Sequence, residues 1–155
     1  MTVLGKSLGG GILPLSAVIA REDLNVAGHL GIGHYTHQKN PVLARAGIET
    51  IKILEEEDLI GGAAAKGRGF TAELQRMVSE TPIFDITYGL GLAMSVACTA
   101  PARLETLKAA CYRLGLNAGT ADGRLLTLSP PLTLSREEFA EAIGALRQAA
   151  EKCPS

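Results

Sequence analysis

Gly5-Lys6-Ser7-Leu8-Gly9-Gly10-Gly11 places one primary amine just ahead of a run of three glycines, and the apolar stretch Ile12-Leu13-Pro14-Leu15-Ser16-Ala17-Val18-Ile19 follows. Glycines let a backbone approach a ligand closely and take positive φ at little steric cost. A lysine held there can lose its proton when desolvated, and the free amine is a nucleophile suited to Schiff-base formation. The same residues also suit a turn between two strands with Lys6 in solvent, because glycine clusters mark loops. A P-loop fits poorly. That motif needs a glycine five residues before the one preceding the lysine, and only Met1 to Leu4 stand ahead of Gly5.

Other residues compete for chemical roles. Thr36 precedes Asn40-Pro41, so its hydroxyl lies beside a helix start, where phosphate is favoured; a simple turn hydroxyl is the alternative. His34 and His37 are three apart with His29 nearby, but they sit in a glycine-rich stretch without a carboxylate cluster, so no metal site is assigned. Cys98, Cys111 and Cys153 are odd in number, far apart and without a CxxC pair, so they read as small packed hydrophobes in a reducing, cytoplasmic setting. Asp85 and the acids Glu55 to Asp58 read as solvated surface.

The elements that must position these residues fit a single chain with a real core. Its 155 residues are 46% apolar and 20% charged, with a net charge of -1. No basic block points to nucleic acid. No apolar run approaches the roughly 20 residues that span a bilayer, and no signal peptide is read. A strand end at Thr2-Val3-Leu4 begins directly at Met1, as if the chain entered a fold midway. Leu15 to Ala20 reads as a buried strand, residues 21–28 as a helical turn, and 28–35 as a loop. Asn40 as N-cap and Pro41 at the first helical position predict a helix over 41–57, with Leu43, Ile48, Ile51 and Leu54 on its inner face. The acids 55–58 oppose the helix dipole, which predicts a bend or a continuation there. Gly61-Gly62 is either a break or a weak point in longer helix, and 63–80 is helical with Phe70, Leu74 and Met77 in line. Ile83 to Ala97 holds two short apolar runs around Tyr88-Gly89-Leu90-Gly91, which read as two strands or one bent strand. A helix from Pro101 carries Leu104, Leu107, Cys111 and Leu114. A strand covers Leu125 to Leu128. A final helix, opened by the Ser135 to Glu138 capping box, carries Phe139, Ile143, Leu146 and Ala150 inward.

The lysine segment, with Pro14-Leu15-Ser16-Ala17-Val18 after it, resembles the cofactor-lysine segment of class III aminotransferases, the pyridoxal-phosphate enzymes that include ornithine, acetylornithine and 4-aminobutyrate transaminases. His34-Tyr35-Thr36-His37-Gln38-Lys39-Asn40-Pro41 is similar to the family's Thr-containing segment before an Asn-Pro helix start, and its Tyr-Thr-His form also resembles dialkylglycine decarboxylase. Gly89-Leu90-Gly91-Leu92 and Leu128-Ser129-Pro130-Pro131-Leu132 resemble two landmarks of the C-terminal domain. These four landmarks cover essentially the whole chain in order.

The resemblance implies an α/β to α+β fold: residues 1–40 as the end of a large cofactor-binding domain, 41–80 as long linking helices, and 81–155 as a small C-terminal α+β domain. It implies Lys6 as the Schiff-base lysine of pyridoxal 5'-phosphate, moving a proton between substrate Cα and cofactor C4′, and Thr36 as a hydrogen bond to the cofactor phosphate of the neighbouring subunit. It implies a homodimer or a pairing with a longer paralogue, and an amine or amino acid substrate. Three departures qualify this. Thr127 stands where the family has an Arg for the substrate carboxylate, with Arg124 three residues upstream on the opposite side of a strand, which opens amines and aminophosphonates as substrates. Tyr88 stands where an Arg is common. The phosphate-cradling turn, the stacking aromatic and the acid for the pyridine nitrogen belong to sequence ahead of Met1. Three readings follow: the C-terminal part of an aminotransferase, inactive alone; a non-catalytic truncated paralogue acting by association; or a lyase or decarboxylase of the same family. A bare apolar face and an unpaired sheet edge are expected for residues 1–40.

Overall fold

Asn40 starts the first long helix: its backbone is extended, its Oδ1 accepts from the Val42 amide at 2.9 Å, and Pro41 takes the first helical position. This helix, α1, covers Pro41–Glu56 as the Asn-Pro pair predicts. The computed structural model describes residues 1–31, 33 and 35–153, and it forms two units, Met1–Asp58 and Leu59–Ser155.

In the first unit, β1 (Thr2–Leu4) pairs antiparallel with β2 (Ala17–Ile19), Leu4 opposite Ala17. A 3-10 turn, Lys6–Gly9, packs on α1, and the Leu15 side chain lies against Gly47, the one buried residue of that helix. The packed side of α1 carries Leu43, Gly47, Thr50 and Leu54, whereas Ile48 and Ile51 are exposed. The helix has apolar residues on two sides, so the 3.6-residue period does not choose between them. The strand expected as buried is β2, yet Val18 and Ile19 are 62% and 61% exposed, and Val3 on β1 is 71% exposed. Both strands therefore carry the bare apolar surface expected of residues 1–40. Among the described residues of this unit only Gly9 and Gly47 are buried, so it holds together through backbone hydrogen bonds and few side-chain contacts. Residues 21–28 contain a second 3-10 turn, Glu22–Leu24.

The acids after α1 mark a stop. Asp58 takes a φ of 44°, and α2 (Leu59–Glu80) begins at the next residue and runs through Gly61-Gly62 without a break. In the second unit, α2 is followed by β3 (Phe84–Leu90), β4 (Ala93–Cys98), α3 (Leu104–Arg113), β5 (Gly119–Ala121), β6 (Leu125–Leu128) and α4 (Arg136–Glu151). The sheet order is β3-β4-β6-β5, every neighbour antiparallel. Alternation sends Met94, Val96 and Cys98 of β4 and Leu126 and Leu128 of β6 into a core with Leu74, Met77, Leu107 and Leu146. Phe70 and Phe139 stack at 3.6 Å between centroids. The capping box of α4 is complete, with Ser135 Oγ accepting from the Glu138 amide at 3.1 Å and Glu138 Oε2 accepting from the Ser135 amide at 2.8 Å. No helix among the described residues is long and apolar enough to cross a membrane.

The three cysteines are free and pack as core hydrophobes. Burial pushes the Cys111 thiol up from 9.0 to about 11, with Cys153 adding to the effect, and burial raises Cys98 as well. Above pH 9 the unfolded chain loses the Cys111 proton, whereas the folded chain keeps it until about pH 11. This contribution to stability is therefore whole below pH 9 and is lost as pH rises toward about 11, by on the order of 1 kcal/mol per pH unit. Chemical denaturation from pH 8 to 11 is expected to show that decline, and Cys111→Ser is expected to remove much of it.

Candidate active site

Lys6 opens the 3-10 turn that follows β1. Gly5 ahead of it is extended, while Lys6 itself has a φ of 53°. Gly10 and Gly11, at φ 73° and 76°, then turn the chain back toward β2. Three hydrogen bonds hold this loop: Leu8 N–H to Gly5 O at 3.2 Å, Gly10 N–H to Ser7 O at 3.0 Å, and Leu13 N–H to Gly9 O at 3.1 Å. A left-handed backbone costs a non-glycine residue about 1–2 kcal/mol. Such strain persists only where surroundings impose it, and it concentrates at functional sites. The Lys6 side chain is exposed, and no ion pair engages it among the described residues. The desolvation expected for a nucleophilic lysine is thus not supplied by the described residues.

Thr36 opens the turn Thr36–Lys39 directly ahead of α1, with the Gln38 N–H on Tyr35 O at 2.9 Å. Its side chain is exposed and lines a cleft of about 840 Å³ with Asn25, Gly28, Tyr35, Gln38 and Lys39. Lys6 does not line that cleft, so the chain keeps the two residues in separate settings. Sequence reasoning passed over Lys39, which has a φ of 59°. The available signal was a long side chain immediately before an N-cap, where the chain must turn sharply into the helix. His34 lies outside the described residues. His37 is exposed in the turn, and among the described residues no group of three or more His, Cys, Asp and Glu could hold a metal.

In the second unit, Thr127 sits on β6 opposite Ser95 and Gly119, and Tyr88 lies opposite Ser95 on the next strand. Arg124 is committed elsewhere: its guanidinium donates to Asp85 Oδ2 at 2.8 Å and its carbonyl accepts from the Cys98 N–H at 2.8 Å. Asp85 is exposed, as expected, but paired.

For pyridoxal phosphate the donor set fits in part. Lys6 offers an unpaired primary amine, and Thr36, Gln38 and Lys39 offer a hydroxyl, an amide and an ammonium to an anion. The described residues that line the cleft include no carboxylate for a ring nitrogen.

Residues 1–150 match the family described as Aminotransferase class-III. The chain is 31% identical over 157 residues to the (R)-1-hydroxy-2-aminoethylphosphonate ammonia-lyase of Vibrio splendidus, covering 96% of this chain and 33% of that protein. It is 34% identical over 171 residues to the diaminobutyrate–2-oxoglutarate aminotransferase of Rhizobium meliloti, covering 98% of this chain and 35% of the relative. The fold matches the ornithine aminotransferase of Toxoplasma gondii with a TM-score of 0.86 at 26% identity, over 97% of this chain and 36% of that one. It matches a PLP-bound amine transaminase from an uncultivated Pseudomonas species with a TM-score of 0.85 at 26% identity, over 98% and 38%. The chain thus spans about a third of the length of the curated relatives it matches. With its mixed α/β fold and a family match over nearly its whole length, this chain belongs to the class-III aminotransferase family.

Proposed function

We propose that this chain supplies the Schiff-base lysine and part of the phosphate contacts of a pyridoxal-phosphate enzyme acting on an amine or amino acid. One observation carries the reading: within a chain matched to the family over residues 1–150, Lys6 alone in its glycine-rich loop is a bulky residue held at positive φ, with its amine unpaired among the described residues. Lys6 would hold the cofactor through Nζ, and the released amine would take and return the proton at the amine-bearing carbon of the substrate. The cofactor, when bound, supplies the electron sink for that bond cleavage. Thr36 would donate its hydroxyl to the phosphate of the cofactor in a neighbouring subunit, so the active form is a dimer or an assembly with a longer paralogue. The chain purified alone is inactive, because none of its described polar side chains is buried and the amine stays in water.

A lyase reading is favoured by two specific observations. Thr127 offers no guanidinium where the family pattern has one, and Arg124 is held by Asp85. One relative at 31% identity is an ammonia-lyase of an aminophosphonate. Product analysis on the tagged chain, recovered in its native assembly, separates the readings. Amine consumption that requires a keto acceptor is expected for transfer, and ammonia release without an acceptor for the lyase. Rates equal to those of a Lys6→Ala assembly would overturn both.

A further inference from the structure

We infer that the second unit carries a binding site for a small, neutral aromatic molecule with one hydrogen-bonding group, between α4 and the link that leads into it from β6. Met94 of β4, Leu128 of β6, Leu134 of the link, and Phe139 and Ala142 of α4 line a cavity of about 260 Å³ there. Met94, Leu128 and Phe139 belong to the core and are no more than 8% exposed, so the cavity reaches the core. A buried apolar cavity of about 150 Å³ accepts benzene, and this one has room for a single ring with a short substituent. Its walls are set before a ligand arrives, as small-molecule sites usually are. Pro130 and Pro131 line it with a fixed φ. Their link is tied at two points: Lys66 Nζ donates to Leu132 O at 2.9 Å, and the Leu134 N–H donates to Pro131 O at 3.0 Å. The complete capping box fixes the start of α4, which supplies Phe139 and Ala142.

The lining chemistry selects the occupant. No described lining residue is charged, so a buried ion would lose its hydration without gaining a partner. The Phe139 ring and the Met94 thioether both favour an aromatic neighbour. The polar side chains of the lining are Asn117 and Ser129, both exposed and neither hydrogen-bonded among the described residues. A hydroxyl on the ring meets this amide and hydroxyl beside solvent while the ring itself lies against apolar wall. The site lies wholly within the second unit and does not depend on the cofactor reading.

Two methionines provide the readout. Met94 and Met77 are buried in the same core, and of the two Met94 lines the cavity. The test is titration of the full chain, carrying methyl-labelled methionine, with para-cresol, toluene and para-toluate, followed by methyl NMR. para-Cresol is expected to shift the Met94 methyl to saturation and leave Met77 in place. Toluene is expected to bind about three- to tenfold more weakly, since it has the ring without the hydroxyl. para-Toluate is expected to bind about fivefold or more below para-cresol, because its charge finds no cation. Ala142→Phe fills the cavity with a ring and is expected to weaken para-cresol by about tenfold or more. Ala142→Leu fills less and is expected to weaken it about threefold. An unmoved Met77 methyl shows that the core of a variant is intact, and Ala142→Leu decides where Ala142→Phe disturbs it. Asn117→Ala combined with Ser129→Ala is expected to bring para-cresol down to the level of toluene and leave toluene unchanged. The inference is overturned by the absence of a saturable Met94 shift with either neutral probe, by equal shifts of Met94 and Met77, or by para-cresol binding that is unchanged in an intact Ala142 variant. para-Toluate bound as tightly as para-cresol overturns the assignment of a neutral ligand.

Discussion

Lys6→Gly is expected to abolish covalent capture of pyridoxal phosphate at this loop while making the loop more stable. A left-handed lysine costs about 1–2 kcal/mol, and glycine gives back part of that through its freedom in the unfolded chain. The net gain should be about 0.5–1 kcal/mol. It is read best as slower exchange of the Leu8, Gly10 and Leu13 amides, whose hydrogen bonds close the turn. Lys6→Ala keeps the strained φ and should leave those amides unchanged while also losing capture. Lys6→Arg keeps the charge but lacks a nucleophilic amine, so it too should fail. This opposition of stability and chemistry is what a functional residue held against its conformational preference produces. A merely structural Lys6 would show capture independent of the substitution.

Gly67→Ala is expected to destabilise the second unit by about 2 kcal/mol, although alanine is the better helix former by about 1 kcal/mol. A methyl group at Gly67 would sit 2.5 Å from the Gly91 Cα and 2.6 Å from its carbonyl carbon. That is backbone against backbone, with no rotamer to yield. Gly91, at φ 58°, lies in the hairpin turn between β3 and β4, so the helix and the turn meet through two residues without side chains. Gly69 on the same helix has nothing within 4 Å. Gly69→Ala should therefore stabilise by about 0.5–1 kcal/mol. Thermal midpoints moving in opposite directions for the two variants would confirm the contact. Two stabilised variants would mean that the helix does not approach the hairpin this closely.

Those contrasts show what the sequence could reveal. Asn40-Pro41, the Ser135 capping box and the spacing of Phe70, Leu74 and Met77 are local signals, and the structure follows each of them. The apolar runs around Gly89-Leu90-Gly91 were legible as strand, but only the structure separates two strands from one bent strand. The Gly67 contact was not, because it joins residues 24 positions apart. The inner face of α1 was misread through Ile48 and Ile51, since apolarity records a need for cover and not which neighbour provides it. The exposure of β2 has the same cause. In the candidate site, Lys6 and Thr36 stood out by type and neighbours. Lys39 did not, because a positive φ at a lysine leaves no mark on composition or period.

The most direct test is to incubate the tagged chain, recovered in its native assembly, with pyridoxal phosphate, reduce with borohydride, and map the adducts on this chain's peptides by mass spectrometry. Lys6 is one of six lysines, and Lys39 is an exposed competitor. The expected result is an adduct concentrated on Lys6, absent in Lys6→Gly and weaker with pyridoxal than with its phosphate. An adduct spread over the lysines in proportion to exposure, or unchanged in amount when Lys6 is replaced, would contradict the assignment of Lys6 as the cofactor lysine.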